Sequence, residues 1–221
     1  MTRGISIVSV YLVALTAILF GSAGRMNWAL GWTALGIYQI VIVASLFLVS
    51  PELVAERSYS KPGIQKLDVI IAAVSFLFLI PVTLAIAGLD VGRFGWTPWY
   101  PMIYHIIALV IYALGHGCGL CAMVCNRFFS TFVRIQQDRH HTVVDSGPYR
   151  YIRHPGYAGA MLAAIALPFA LGSFWALIAA FVGSAGFVLR LLQEEKVLFT
   201  ELNGYSEYAR RVSYRLLLGI W

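Results

Sequence analysis

Charge is what this sequence has least of. Asp, Glu, Lys and Arg make up 12% of its 221 residues, against about 25% in soluble domains. With 60% hydrophobic residues and a mean hydropathy of +0.77, a soluble fold would have too few polar side chains to face water. A soluble globular enzyme and a disordered chain are both excluded. Cysteine is also scarce: Cys118, Cys121 and Cys125 share one apolar block, and an odd, clustered set is no disulfide framework. The alternating ten-residue segments of a transmembrane barrel are missing, which leaves helices to satisfy the backbone within lipid. No internal repeat or low-complexity tract is present. The net charge of +6 does not indicate nucleic acid, because the basic residues sit between apolar blocks and not on a solvated binding face.

Long apolar runs are what the chain has instead. Ile5–Gly24, Trp28–Ser50 and Val69–Leu89 run for 20, 23 and 21 residues without Asp, Glu, Lys or Arg, and about 20 residues cross ~30 Å of hydrocarbon. The first is longer than a signal-peptide core and is followed by others, so it reads as a span and not a cleaved leader. A fourth run extends from about Tyr100 to Cys125. The block Gly156–Leu189, 34 residues, would be about 51 Å long as one helix, too long without severe tilt. Gly172-Ser173, just after Pro168, predicts a turn there, giving a tight helical hairpin with a short first arm.

Six spans with both termini on one side place 14 basic residues on that side (Arg3; Arg57, Lys61, Lys66; Arg127, Arg134, Arg139, Arg150, Arg153; Arg190, Lys196, Arg210, Arg211, Arg215) and only Arg25 and Arg93 opposite. The positive-inside rule makes the richer side cytoplasmic. The expected fold is an all-α, polytopic membrane helix bundle of about six transmembrane helices, the last two a tight hairpin. Residues 1–125 form about four N-terminal spans, and 126–221 form the region that carries chemistry, with the hairpin and a C-terminal cytoplasmic helix.

The polar residues collect in two cytoplasmic segments, Asn126–Pro155 and Arg190–Trp221. The span interiors offer only His105 and His116, both expected to be satisfied by neighbouring helices, and this speaks against an ion-coupled transporter or pump. The denser constellation runs from His140 to Tyr157. Ser146-Gly147-Pro148 reads as a turn, and Pro155 suits the first position of the next helix, where its missing N–H costs nothing. The free amides of that first turn can receive a carboxylate or another acceptor-rich group. The same residues also read as an Arg/Tyr-rich interfacial collar.

The second constellation is Arg190 with Glu194, four apart on one helix face. They form either a plain ion pair or a divergent pair, with Glu194 holding a ligand ammonium and Arg190 a substrate anion. Metal ligation by the cysteine stripe near His116 is conceivable, but packing between spans accounts for it, and no metal site is assigned. Gly115 and Gly119 form a GxxxG close-packing signal. No strand precedes Gly115-His116-Gly117, so it is not a dinucleotide fingerprint.

Taken together, His141 to Val144, Gly147 and Tyr149, Arg153 to Gly159, Arg190 with Glu194, and then Gly204-Tyr205, Tyr208 and Val212 resemble the isoprenylcysteine carboxyl methyltransferase family. The likeness is strongest over Asn126–Trp221, and Pro51–Arg57 is similar to prokaryotic-type members. The resemblance implies S-adenosylmethionine as methyl donor, with S-adenosylhomocysteine as product, in a cytoplasmic pocket built from the loop before the hairpin and the C-terminal segment. His141, Thr142, Val143, Val144, Tyr149, His154, Pro155, Gly156, Tyr157 and Glu194 would surround it, with Gln136 at a shorter spacing than the family's. Arg190 and Glu194 would be the catalytic residues, and Arg190 would contact the methyl acceptor. The implied partners are the lipid bilayer and a small or lipophilic acceptor, not nucleic acid.

The donor's chemistry suits these residues. Glu194 can pair an ammonium, and Tyr149 or Tyr157 can cover a ring or sulfonium face. A carboxylate or thiolate acceptor would need only alignment and exclusion of water, whereas a protonated amine or thiol would need a base such as His141 or His154. Two other classes stay open. One is an NADPH-dependent membrane reductase of the sterol-reductase type, with Arg139, Arg150 and Arg153 meeting a 2′-phosphate. The other is a non-catalytic membrane protein with a basic collar.

Overall fold

The computed structural model of the protein describes residues 2–58 and 66–221, with side chains over 8–57 and 66–221. Lys61 and the side chain of Arg3, both counted above on the basic side, lie outside these. The described residues form helices and no strand, in the order α1 (Thr2–Ala23), α2 (Ala29–Leu48), α3 (Pro51–Ser58), α4 (Lys66–Leu77), α5 (Thr83–Gly88), α6 (Met102–Cys125), α7 (Pro155–Leu171), α8 (Ala176–Glu201) and α9 (Tyr205–Arg211). A π-helical turn, Phe78–Val82, joins α4 to α5 and a second, Leu89–Phe94, extends α5, so Lys66–Phe94 is one apolar rod. Pro81 explains the first widened turn: it has no N–H to donate. The Thr83 hydroxyl donates to the Phe78 carbonyl at 2.8 Å instead.

Four segments are long and apolar enough to cross a membrane: Ala29–Leu48, Lys66–Phe94, Met102–Cys125 and Ala176–Glu201. Val8–Ala23 and Pro155–Leu171 are apolar but shorter. Outward-facing Ile40, Phe47, Ile178 and Phe181 are exposed, an apolar surface that only lipid accommodates. The chain is an integral membrane protein. The expected hairpin is present, with α7 as its short arm of 17 residues and α8 as its long arm of 26. Gly172 ends α7 at φ +92°, a left-handed conformation that suits glycine. The Gly172 and Ser173 amides both donate to the Pro168 carbonyl at 2.9 Å.

The closest helix contact is α6 on α7. A Cβ on Gly115 would lie 2.7 Å from the Gly159 carbonyl oxygen, and one on Gly159 2.7 Å from the Gly119 amide nitrogen. The GxxxG pair of α6 therefore faces a second glycine, and backbones touch as in small-residue membrane packing. Elsewhere Leu15, Leu19 and Phe20 of α1 pack with Leu84 and Ala87 of α5 and with Leu167 and Leu171 of α7. At the hairpin-turn end, Arg93 donates to the Ser22 and Gly21 carbonyls at 2.6 and 2.9 Å, and so caps the orphan carbonyls ending α1.

Asp90 is fully buried beside this cap. It accepts the Thr97 amide at 2.8 Å and hydroxyl at 2.6 Å, and the Ser173 hydroxyl at 2.6 Å. His105 is satisfied as expected, with its Nδ1 3.1 Å from the Ala170 carbonyl oxygen. His116 is not. Its Nε2 is buried without a partner among the described residues, and its ring meets Tyr112 edge-on at 4.5 Å.

Candidate active site

At the other end of the hairpin, the N-terminus of α7 meets the last turns of α8, and this contact joins the two polar constellations. Arg153 Nε donates to Glu195 Oε1 at 2.6 Å, and His154 Nε2 lies 3.3 Å from the same oxygen. Arg215 Nε donates to Glu195 Oε2 at 2.6 Å, so this buried carboxylate ties loop, helix and C-terminal tail together. The tail also pairs backbone to backbone with the loop, its Tyr214 and Arg215 carbonyls accepting the Arg153 and His154 amides at 2.9 and 3.0 Å. One residue earlier on α8, Glu194 Oε2 accepts the Tyr157 hydroxyl at 2.8 Å.

A cavity of about 440 Å³ opens at this junction, within the usual range of small-molecule pockets. It is lined by His141, Thr142, Val143, Val144, Tyr149, His154, Gly156, Tyr157, Arg190 and Glu194, ten of the twelve residues singled out in the sequence. Pro155 lies buried behind this wall as the first residue of α7. Gln136 is also away from the cavity and fully buried: its Nε2 donates to the Phe128 carbonyl at 2.7 Å and its Oε1 accepts Arg139 at 2.6 Å. It does not line the cavity but sits behind His141, whose Nδ1 accepts the Gln136 amide at 3.4 Å.

The His141 ring stacks near Phe128, centroids 4.3 Å apart. Burial first, then the charges of Arg134, Arg139 and Arg127, lower its pKa to about 4, so the imidazole is neutral at pH 7. His140, just before it, takes φ +51°, a strained conformation for a non-glycine residue. Tyr149 is buried, with the Asn126 amide 3.2 Å from its hydroxyl. Burial pushes its pKa up and keeps it protonated.

Arg190 and Glu194 do not pair with each other. Arg190 Nε donates to Asp68 Oδ1 at 2.8 Å and its Nη2 to the Thr131 carbonyl at 2.6 Å, while Glu194 turns to Tyr157. The two side chains thus diverge and form no i,i+4 ion pair. The Gly156 and Tyr157 amides have no acceptor among the described residues, as a helix start leaves them. Two of the three arginines proposed to meet a 2′-phosphate are engaged by the protein itself. Arg153 is buried on Glu195 and on the Val212 and Ser213 carbonyls, each at 2.8 Å, and Arg139 is engaged by Gln136.

Beyond the polar mouth the cavity is elongated and apolar. Its lining on α7 runs from His154 to Leu167, a rise of about 20 Å at ~1.5 Å per residue. Val41, Ile42, Leu79, Ile80 and Phe187 line this limb from α2, the rod and α8. Two residues that the sequence did not place at the site stand out. Asp68, buried, fixes Arg190 and also accepts the Val133 amide at 2.9 Å. Tyr205 lines the cavity with its hydroxyl buried and without a partner among the described residues. An Asp starting an apolar run was the only available signal for the first, and the Gly204-Tyr205 pair for the second.

A helical membrane protein with a two-sided cavity, polar at one helix start and apolar beyond, is the class this geometry defines. Residues 106–200 match the isoprenylcysteine carboxyl methyltransferase (ICMT) family. The chain is 31% identical over 113 residues to the protein-S-isoprenylcysteine O-methyltransferase of Schizosaccharomyces pombe, covering 50% of this chain and 48% of that protein. It is 25% identical over 144 residues to probable protein-S-isoprenylcysteine O-methyltransferases of Oryza sativa subsp. indica and japonica, covering 64% of this chain and 72% of theirs. The chain is thus similar to the ICMT family over less than half of its length, and its match spans about half the length of the S. pombe relative.

Proposed function

We propose that this protein is an S-adenosylmethionine-dependent methyltransferase that acts on a small or lipophilic acceptor at the cytoplasmic membrane surface. One observation carries the reading: a single cavity combines a carboxylate lacking a cationic partner, Glu194, and two open helix-start amides with a long apolar limb. The likeness of residues 106–200 to the ICMT family supports the same chemistry. When bound, the donor supplies a methyl group on a sulfonium, which an acceptor oxygen or sulfur takes as its C–S electron pair returns to sulfur.

The residues present fit such a donor. Glu194 would receive its ammonium, the Gly156 and Tyr157 amides its acceptor atoms, and the orphaned Tyr205 hydroxyl a further polar edge. His141 to Val144 would wall it in. Arg190, its charge balanced by Asp68, keeps its Nη1 without a partner among the described residues and would orient the acceptor with it. The protein's contribution is alignment and exclusion of water. His154 faces Glu195, and His141 accepts the Gln136 amide on Nδ1 and so carries its proton on Nε2, an arrangement that suits an acceptor already in its anionic form. The apolar body of the acceptor would lie in the α2–α7–α8 limb and enter from the bilayer. The 14-to-2 distribution of basic residues supports a cytoplasmic site and cytoplasmic termini.

Calorimetry of detergent-purified protein with S-adenosylhomocysteine and with NADPH tests this reading. Binding of the first alone is expected, and binding of NADPH alone overturns it. Methyl-labelled donor added to membranes then identifies the acceptor by the compound that becomes labelled.

A further inference from the structure

Five charged side chains line the cavity besides its histidines: Arg57, Arg134, Arg153, Arg190 and Glu194. Three of the four cations are already matched. Arg134 pairs with Glu56 at 2.7 Å and Asp138 at 3.0 Å, Arg153 with Glu195, and Arg190 with Asp68. Arg57 is different. Its Nη1 donates to the Phe129 carbonyl at 3.3 Å and its guanidinium lies 5.4 Å from the Phe129 ring centroid, but no carboxylate among the described residues reaches it. Phe129 in turn leans on the first turn of α7, where its ring would collide with a Cβ on Gly156. Arg57 therefore stands across one ring from the open amides. It lies outside the segment 106–200 that defines the family match.

Leaving a guanidinium unpaired in a partly desolvated site is unfavourable. Burial, and then the neighbouring Arg190 charge, lower the Arg57 pKa, which marks a place where an anion would be welcome. Glu194 is the complementary case, an anion with no cationic partner among the described residues. The empty charges of the cavity are thus one minus and one plus. They match a donor ammonium and an anionic acceptor present at the same time.

Building on the methyltransferase reading, we propose that Arg57, and not Arg190, supplies the positive charge that receives the anionic end of the methyl acceptor, a carboxylate or thiolate on an apolar body. Arg190 orients that end by hydrogen bonding, its charge spent on Asp68. Transfer converts the anion to a neutral ester or thioether, so Arg57 holds substrate and releases product.

An S-prenylated N-acetylcysteine and its neutral primary amide serve as probes, with binding measured by calorimetry in detergent. Wild type is expected to prefer the acid by about 10- to 100-fold, as a charge-assisted contact provides. Arg57→Gln should bind acid and amide alike, and Arg57→Lys should recover part of the preference. The double variant Asp68→Asn/Arg190→Gln, which removes the buried pair together with the orienting hydrogen bond, should bind both probes more weakly and still prefer the acid. Equal or absent binding of the acid in wild type, or preference kept in Arg57→Gln and lost in the double variant, overturns the proposal. S-adenosylhomocysteine titrations on the same samples separate the two failures. Retained binding leaves the methyltransferase reading standing, loss in wild type removes that reading itself, and retained binding in Arg57→Gln shows the variant folded.

Discussion

Each end of the α7–α8 hairpin buries carboxylates, and the two ends use them in opposite ways. At the turn, Asp90 is surrounded by three donors from Thr97 and Ser173, and the Thr97 hydroxyl passes the network on by accepting the Phe174 amide at 2.9 Å. Nothing is left over for a ligand. At the open end, Glu195 is closed in the same manner by Arg153, His154 and Arg215, but among the described residues its neighbour Glu194 meets only a tyrosine hydroxyl. A carboxylate that is fully partnered locks helices together. One held by a single neutral donor, beside open amides, keeps binding capacity in reserve at a cost in stability.

The largest effect that tests this contrast is at the closed end. Asp90→Ala would strand the Thr97 and Ser173 donors in a buried site, at about 1–3 kcal/mol for each unsatisfied group. A loss of about 3–5 kcal/mol is expected, measured by denaturant titration in detergent, with S-adenosylhomocysteine affinity of the folded fraction unchanged. A stability like that of wild type would show that the turn end is not the lock. Glu194→Gln should behave the other way round. The Tyr157 hydroxyl keeps an acceptor, so the melting temperature should hold within a few degrees. Affinity for S-adenosylhomocysteine should fall about 10- to 100-fold with loss of the ion pair to its ammonium. Equal affinity in the variant would remove Glu194 from the site.

Which half of this contrast the sequence shows depends on the range of the interactions. Uncharged runs give the helices directly, because lipid imposes length and composition on each span by itself. Gly172-Ser173 marks the turn through backbone chemistry that is also local. The Arg-His-Pro start and the Arg190/Glu194 pair are visible because each is a short pattern. What joins them is not. Glu195 sits beside Glu194 in sequence, and only the packing of α8 against the α7 start decides which of the two is closed by Arg153. Asp68 and Asp90 lie at the edge of apolar runs, where they read as interfacial residues. Their partners, Arg190 at 122 residues' separation and Ser173 at 83, come from helix pairings that no local pattern encodes. The family resemblance implies Gln136 at the cofactor, whereas its backbone carries His141 from behind.

The smallest effect concerns pH, and it separates the two ends by their response to mild acid. His141 accepts the Gln136 amide on Nδ1, which requires the neutral ring, and its pKa is lowered from 6.5 to about 4. Between those values the unfolded chain holds a proton on this residue that the folded chain does not. Stability therefore rises with pH across that window. The contribution is present in full above about pH 6.5 and is lost as pH falls towards 4. Carboxylates elsewhere begin to titrate near the bottom of the same range, so wild type alone is not diagnostic. His141→Asn retains an acceptor close to Nδ1 and cannot take up the proton. The difference in melting temperature between wild type and His141→Asn should thus be constant from pH 8 to about 6.5 and then move against wild type on further acidification. A difference that stays flat to pH 4.5 would mean that the ring is solvated, and that the open end is held less firmly around His141 than its packing on Phe128 implies.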